Sequence, residues 1–452
     1  MPAAAHDRTR TADATVTVLV DGTPLAHQEV VVAQRSHDFL FGCIGFDLIP
    51  YINDELKTGD ELKAGELSED EHREDEHREE AQPRSHRDPE AGAPDEDRER
   101  AARRAERWLD LFNFATLPFY WGRFEPVRGQ PDTRRVLAAA RWFAERGCTV
   151  KGHPLAWHTV TADWLLDLPT PEIARAQVER VRREVSDFAG LVDMWDVINE
   201  VVIMPIFDKY DNGITRLCRE VGRIPMVRMV FDAAREANPN AVLLLNDFDM
   251  SAAYECLIEG LLEAGIRIDA LGLQSHMHQG YWGEEKTLAI LDRFARYGLP
   301  IHFTETTIVS GHLMPPEIVD LNDYQIPDWP TTPEGEERQA DEMVRHYRTL
   351  LSHPSVQAIT YWGISDGGWL GAPGGLLRRD GSAKPAYTAL HDLIKGEWWL
   401  PPTTIRTDGE GRLRFSGFLG RYEVTANGHT AAIHLDKPGT AALAVDLGAP
   451  TG

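Results

Sequence analysis

Residues 192–200 read Val-Asp-Met-Trp-Asp-Val-Ile-Asn-Glu, an apolar run that ends in a carboxylate. A second run, residues 300–305, reads Pro-Ile-His-Phe-Thr-Glu and ends in Glu305, 105 residues after Glu200. The same texture repeats around these two. Short β-rich runs at 39–46, 112–117, 149–157, 192–199, 241–246, 270–274, 300–305 and 357–362 alternate with helix-like stretches. Those stretches include 134–146, 171–188, 224–237, 252–264, 287–297 and 334–351. Eight strands alternating with helices predict an α/β fold, a parallel (β/α)8 TIM barrel. The spacing of 105 residues is 35 per βα unit over three units, close to the roughly 31 of a 250-residue barrel. Glu200 and Glu305 then end strands four and seven at the C-terminal mouth, where barrels carry their chemistry.

An apolar strand that ends in a carboxylate needs either a partner or a raised pKa. Taken singly, each Glu reads as a helix cap or an arginine partner. As a pair across one mouth they suit glycoside hydrolysis, one as acid/base and the other as nucleophile. Other strand ends agree. They bring His153, Trp157 and His158, then Asn246-Asp247, then Gln274, His276 and His278, and finally Trp362, Asp366 and Trp369. Polar groups interleaved with indoles fit a sugar cleft, because aromatic faces stack on apolar sugar surfaces. Trp121, Trp157, Trp362 and Trp369 are its candidate walls together, although any single Trp reads more readily as core. His276, His278 and His153 also raise a metal-dependent barrel hydrolase. A metal needs three convergent ligands, and none completes the set, so no metal and no cofactor is expected. A non-catalytic sugar-binding barrel would lack one of the two carboxylates.

Outside the barrel, Val16, Val18 and Val20 alternate before a turn at Asp21-Gly22 and the run Val30-Val31-Val32, a β-hairpin signal. Alternating residues return from Leu413 to Leu435. The expected organisation is an N-terminal β segment at 11–36, a barrel at 37–398 and a C-terminal β segment at 399–452. The two end segments form one small accessory β module. Within the barrel, 54–107 reads as a charged, solvated insertion. Residues 61–107 hold 17 acidic and ten basic side chains, and Glu-Asp-Glu-His-Arg occurs twice in tandem at 69–78.

The formal charge of −25 argues against a nucleic-acid partner. No apolar run approaches 18 residues, so no membrane span is expected. The polar start and four scattered cysteines (Cys43, Cys148, Cys218, Cys256) predict a cytoplasmic protein with reduced core thiols. The oligomeric state is left open.

The segments GHPLAWH (152–158), WDVINE (195–200), LLLND (243–247), LGLQSH (271–276), FTE (303–305) and YWGISDGGW (361–369) resemble those of family 10 glycoside hydrolases, the endo-β-1,4-xylanase family. Gly374–Asp380 and Lys384–Tyr387 are similar to the family's final barrel loop, so the resemblance spans roughly 37–396. It implies a retaining mechanism with Glu200 as acid/base and Glu305 as nucleophile. Asn199 would hold the 2-hydroxyl of the reacting sugar, His158 would bind that sugar, and His276 would orient Glu305. Gln274 would lie near the acid/base, and Trp362 and Trp369 would line the cleft. The implied partner is an oligosaccharide or small glycoside, with xylan-derived chains foremost. A glycoside with a bulky apolar aglycone, as in tomatinase-like members, is the alternative. The chain also departs from the family. The usual Glu-Asn-x-x-Lys after strand two is missing from 115–126, and Thr306-Thr307 stands where Leu-Asp is usual.

Overall fold

A computed structural model of the chain describes residues 7–56 and 98–448. Among the described residues a single helical turn (Asp7–Arg10) leads into β1 (Thr11–Val20), a two-residue β2 (Thr23–Pro24) and β3 (Glu29–His37). Eight parallel strands follow: β4 (Leu40–Ile44), β5 (Phe114–Pro118), β6 (Thr149–His153), β7 (Met194–Asn199), β8 (Val242–Asp247), β9 (Ala270–Met277), β10 (Ile301–Ile308) and β11 (Val356–Tyr361). They close into a barrel in that order, with β11 pairing back onto β4. Around it run α1 (Arg98–Leu111), α2 (Thr133–Ala144), α3 (Thr170–Asp187), α4 (Arg223–Ala237), α5 (Ala252–Glu263), α6 (Glu284–Ala295), α7 (Pro333–Ser352) and α8 (Pro385–His391). Each presents an apolar stripe inward, as Ile173, Val181 and Val185 do on α3. One continuous core of strand and helix side chains results.

Three local readings change. The third strand stops at His153, because Pro154 has no N–H to give the ladder. The segment 154–157 is therefore loop. Of the charged stretch 54–107, residues 57–97 lie outside the described residues. Arg98–Arg107, however, belongs to α1, the helix between the first two barrel strands. Its Ala101, Ala105, Trp108 and Leu111 are buried at helical spacing, and the Trp108 indole donates to the Ile44 carbonyl. Cys256 is exposed on α5, whereas the other three cysteines are buried.

The remaining strands are β12 (Thr403–Arg406), β13 (Arg412–Phe418), β14 (Gly420–Ala426), β15 (His429–Leu435) and β16 (Gly439–Asp446). The first two long strands are not a hairpin. β1 lies between β13 and β16, and only β2 turns back onto it at Asp21-Gly22. β3 instead joins a second sheet ordered β12-β3-β14-β15. The inward valines of both sheets share a core of their own, with Val16, Val18, Val30 and Val32 fully buried. Both chain ends thus build the accessory β-sheets beside the barrel.

Two glycines set the barrel's interior. A Cβ at Gly152 would lie 2.2 Å from the Trp195 ring, and one at Gly272 would lie 2.3 Å from Asn246 Oδ1. The second contact bears directly on the mouth.

Candidate active site

Glu200 is the first residue past β7, and its φ of +56° is left-handed. For a side chain with a Cβ that conformation is strained, and such strain gathers at functional sites. The backbone N–H of Glu200 is fixed by the Asn246 carbonyl at 2.8 Å. Glu305 sits inside β10, where the pairing with β9 shifts between Phe303 and Glu305. A bulge of this kind re-aims a side chain, here into the barrel mouth.

Amides link the two carboxyls in one chain. Gln274 Nε2 donates to Glu200 Oε1 at 3.1 Å and to Asn199 Oδ1 at 3.1 Å. Asn246 Nδ2 donates to Asn199 Oδ1 at 2.8 Å and to Glu305 Oε1 at 3.1 Å. Asn199 Nδ2 reaches Glu200 Oε1 at 3.2 Å, and Thr304 Oγ1 holds Asn246 Oδ1 at 2.5 Å. The Trp157 indole donates to Glu200 Oε2 at 2.8 Å. His276 Nε2 meets Glu305 Oε2 at 2.9 Å, while its Nδ1 meets Thr307 Oγ1 at 3.1 Å. Burial pushes both carboxyls up to about 7, Glu200 further helped by the charge of Glu305. Against burial, His153 and Lys151 pull Glu305 down while Asp196 pushes it up, and the neutral donors Trp157, Gln274 and Asn199 pull Glu200 down.

Beneath Glu305 lies a buried cluster that sequence reasoning missed. Asp196 Oδ2 accepts from Lys151 Nζ at 2.6 Å and from His153 Nδ1 at 2.8 Å. His153 Nε2 then stands 3.8 Å from Glu305 Oε1. The signal was present. Lys151 and Asp196 both interrupt apolar strands, and a buried charge demands a partner.

The structure places the other candidates unevenly. Trp362 lies beside His153 and His276, with ring centroids 5.2 and 6.0 Å away, and Trp369 lies 4.5 Å from His276. With Trp157 they stand at the mouth. His158 does not. It is buried against Phe207 at 4.6 Å, and burial lowers it to about 3. His153, five residues earlier, occupies the place beside Glu305. Trp121 is also elsewhere: its indole donates to Glu125 Oε2 and packs under the Arg180 guanidinium in the core. Leu117 and Phe119 are core as well. Of the apolar residues standing where the family carries its polar motif, Tyr120 faces the site. Its ring lies 5.5 Å from Trp157 and 5.7 Å from His153.

His276 is engaged by Glu305 and Thr307, and His278 packs between Trp329 and Trp369. Among the described residues no group of three His, Cys, Asp or Glu side chains is arranged to hold a metal ion, and no helix is long and apolar enough to cross a membrane.

A closed eight-stranded barrel whose mouth holds two coupled carboxyls, an amide chain and a ring of indoles defines a glycoside hydrolase. Residues 118–393 match the model of Glycosyl hydrolase family 10, and the chain belongs to that family. Endo-1,4-beta-xylanase B of Thermotoga neapolitana is 27% identical over 318 residues, covering 64% of this chain and 84% of that enzyme. Anti-sigma-I factor RsgI6 of Acetivibrio thermocellus is 28% identical over 326 residues, which is 70% of this chain but 38% of that protein. Among solved structures, a GH10 protein from Paenibacillus barcinonensis superposes with a TM-score of 0.55 at 25% identity, covering 64% of this chain and 90% of that one. Xylanase 10B of Thermotoga petrophila RKU-1, in complex with xylobiose, shares the fold with a TM-score of 0.53 at 23% identity, covering 66% and 90%.

Proposed function

We propose that the protein is a retaining β-glycosidase acting on xylan-derived oligosaccharides. The observation that carries this reading is the amide chain from Gln274 through Asn199 and Asn246, which ties Glu200 and Glu305 into one unit with unlike surroundings.

In the first step the Glu305 carboxylate attacks the anomeric carbon. The bond to the leaving oxygen breaks as Glu200 gives that oxygen its proton. In the second step Glu200, now ionised, takes a proton from water. The oxygen of that water attacks the anomeric carbon, and Glu305 leaves as a carboxylate. Lys151, His153 and the Asn246 amide favour the ionised Glu305 that the first step needs, against burial and the charge of Asp196. Burial and the charge of Glu305 hold the proton on Glu200 toward neutrality, against the pull of Trp157, Gln274 and Asn199, which orient the carboxyl.

The test is stereochemical. Products followed by NMR at early times retain the β configuration, and initial release of the α anomer overturns the mechanism. A second reading, hydrolysis of an aglycone-bearing β-glycoside, is favoured by Tyr120. A ring replaces polar comb at that wall and demands less of the hydroxyl pattern. Turnover of aryl β-xylosides, β-glucosides and β-xylobiosides separates the two.

A further inference from the structure

Two long loops rise from the strands that carry the carboxyls. One spans 201–212 after β7. The other spans 309–332 after β10, and its neck is closed by Thr332 N–H donating to the Ser310 carbonyl at 2.9 Å. Both are built structures. In the second, Val309, Met314 and Trp329 form a small core with Leu370 and Ala372, and Tyr324 packs edge-on to Trp329 at 4.9 Å. In the first, Phe207 packs between His158 and Tyr210, tilted to one and edge-on to the other, at 4.6 and 4.9 Å.

The loops meet. Lys209 Nζ lies 2.6 Å from Asp320 Oδ2 and 2.5 Å from Asp323 Oδ1. Between those aspartates, Asn322 Oδ1 accepts from the Trp369 indole at 3.2 Å, so the tip of the strap is also tied to the tryptophan beside His276. Gln279, on the loop after β9, holds the near side of the strap through the carbonyls of Pro315 and Ile318 at 2.9 and 2.7 Å.

Barrel order gives this contact its meaning. Between β7 and β10 lie only β8 and β9. A bridge that joins the β7 and β10 loops therefore fences the β8–β9 side off from the rest of the mouth. A sugar chain threading between Glu200 and Glu305 has two exits, one over β8–β9 and one over the opposite strands. We infer that the Lys209–Asp320/Asp323 bridge is a latch that closes the first exit. It converts a through-cleft into a one-ended pocket, so the enzyme takes chain ends and short glycosides and does not cut inside a polymer. This inference rests on the hydrolase reading and adds the length specificity of the same site.

The latch is half-exposed, and an exposed ion pair controls a population ratio of about fivefold. Lys209→Ala, and separately the double variant Asp320→Asn/Asp323→Asn, are compared with the parent on soluble xylan, on xylo-oligosaccharides of two to six units and on an aryl β-xylobioside. The expected result is a rise of about fivefold in kcat/KM on xylan relative to the aryl substrate in both variants. The parent in 1 M NaCl moves the same way, because salt screens exposed pairs. Parent products are short sugars released from one end. A polymer-to-aryl ratio that stays within twofold in both folded variants overturns the latch, as does internal cleavage of xylan by the parent. A folded parent that turns over no β-glycoside overturns the hydrolase reading, and the latch with it.

Discussion

At the level of single residues, Glu200 and Glu305 are both pushed up to about 7, and Lys151 and His153 pull Glu305 down with Asp196 opposing them. In the proposed mechanism the working form has Glu305 ionised and Glu200 protonated. As pH falls through the pair's range Glu305 takes a proton and attack stops. As pH rises Glu200 loses its proton and the leaving group is no longer assisted. The expected kcat/KM profile is thus a narrow bell centred near pH 7, and the two limbs belong to the pair as a unit. A plateau extending down to pH 4 would show that burial does not raise Glu305 in solution. The roles separate by leaving group. Glu305→Ala removes the proposed nucleophile, and turnover is expected to drop by about 10⁴-fold or more on every substrate. Glu200→Ala loses a proton donor that a dinitrophenyl leaving group does not require. Its first step is nearly normal on that substrate and at least 10²-fold slower on unactivated glycosides. Equal damage on both substrates contradicts the assignment of Glu200 as acid.

The elements position these residues through contacts that a reading of strand ends did not supply. Asn246, on β8, is the junction of the amide chain, and Gly272 on β9 leaves room for it. A methyl at 272 would sit 2.3 Å from Asn246 Oδ1, and Thr304 Oγ1 holds that same oxygen, so the amide has nowhere to rotate. Gly272→Ala is expected to displace both carboxyls, lowering kcat about 10²-fold with little change in KM, since small misplacements at a reacting centre cost about that much. A matching thermal scan tells this from unfolding. The barrel itself was legible because β10 and β7 keep their apolar period. The helix α1 was not, because RERAARRAERWLDL carries its charge on the exposed face and continues a charged run. Only Ala101, Ala105, Trp108 and Leu111, taken at helical spacing, separate it from the stretch before it. His153 and His158 flank one motif five residues apart. Sequence cannot say which faces Glu305, because the strand ends at His153, just before Pro154, and the next turns are irregular. The structure answers through Asp196, which holds His153 from the neighbouring strand. Trp121 failed as a cleft residue for a related reason. Glu125, held by Arg183 at 2.7 Å, draws its indole away from the mouth.

The whole molecule is closed by its two ends. Each strand from the C-terminal segment pairs with β1, with β3, or with a strand that does: β13 and β16 flank β1, β12 and β14 flank β3, and β15 pairs with β14. The module is fastened to the barrel by Arg10. Its Nε donates to the Leu351 carbonyl at 3.1 Å, and its guanidinium also reaches the carbonyls of His353 and Val356, at the end of α7 and the start of β11. Phe39, leading into β4, lies under the same guanidinium at 5.0 Å. These contacts make the end segments part of the barrel's stability and not an appendage. Ending the chain at Pro402 would strip both edges from β1 and β3 and uncover Val16, Val18, Val30 and Val32, which are fully buried in the full chain. Two long, flat, valine-rich edges are a template for association. The expected outcome is aggregation on expression, or strong binding of a hydrophobic dye by whatever remains in solution. Arg10→Ala in the full chain keeps both sheets and removes only the fastening. It is expected to stay soluble while losing about 1–3 kcal/mol, the cost of leaving buried carbonyls without their donor, read from urea denaturation of parent and variant. A shortened chain that stays monomeric with an unchanged melting temperature would mean that the barrel draws nothing from its terminal strands.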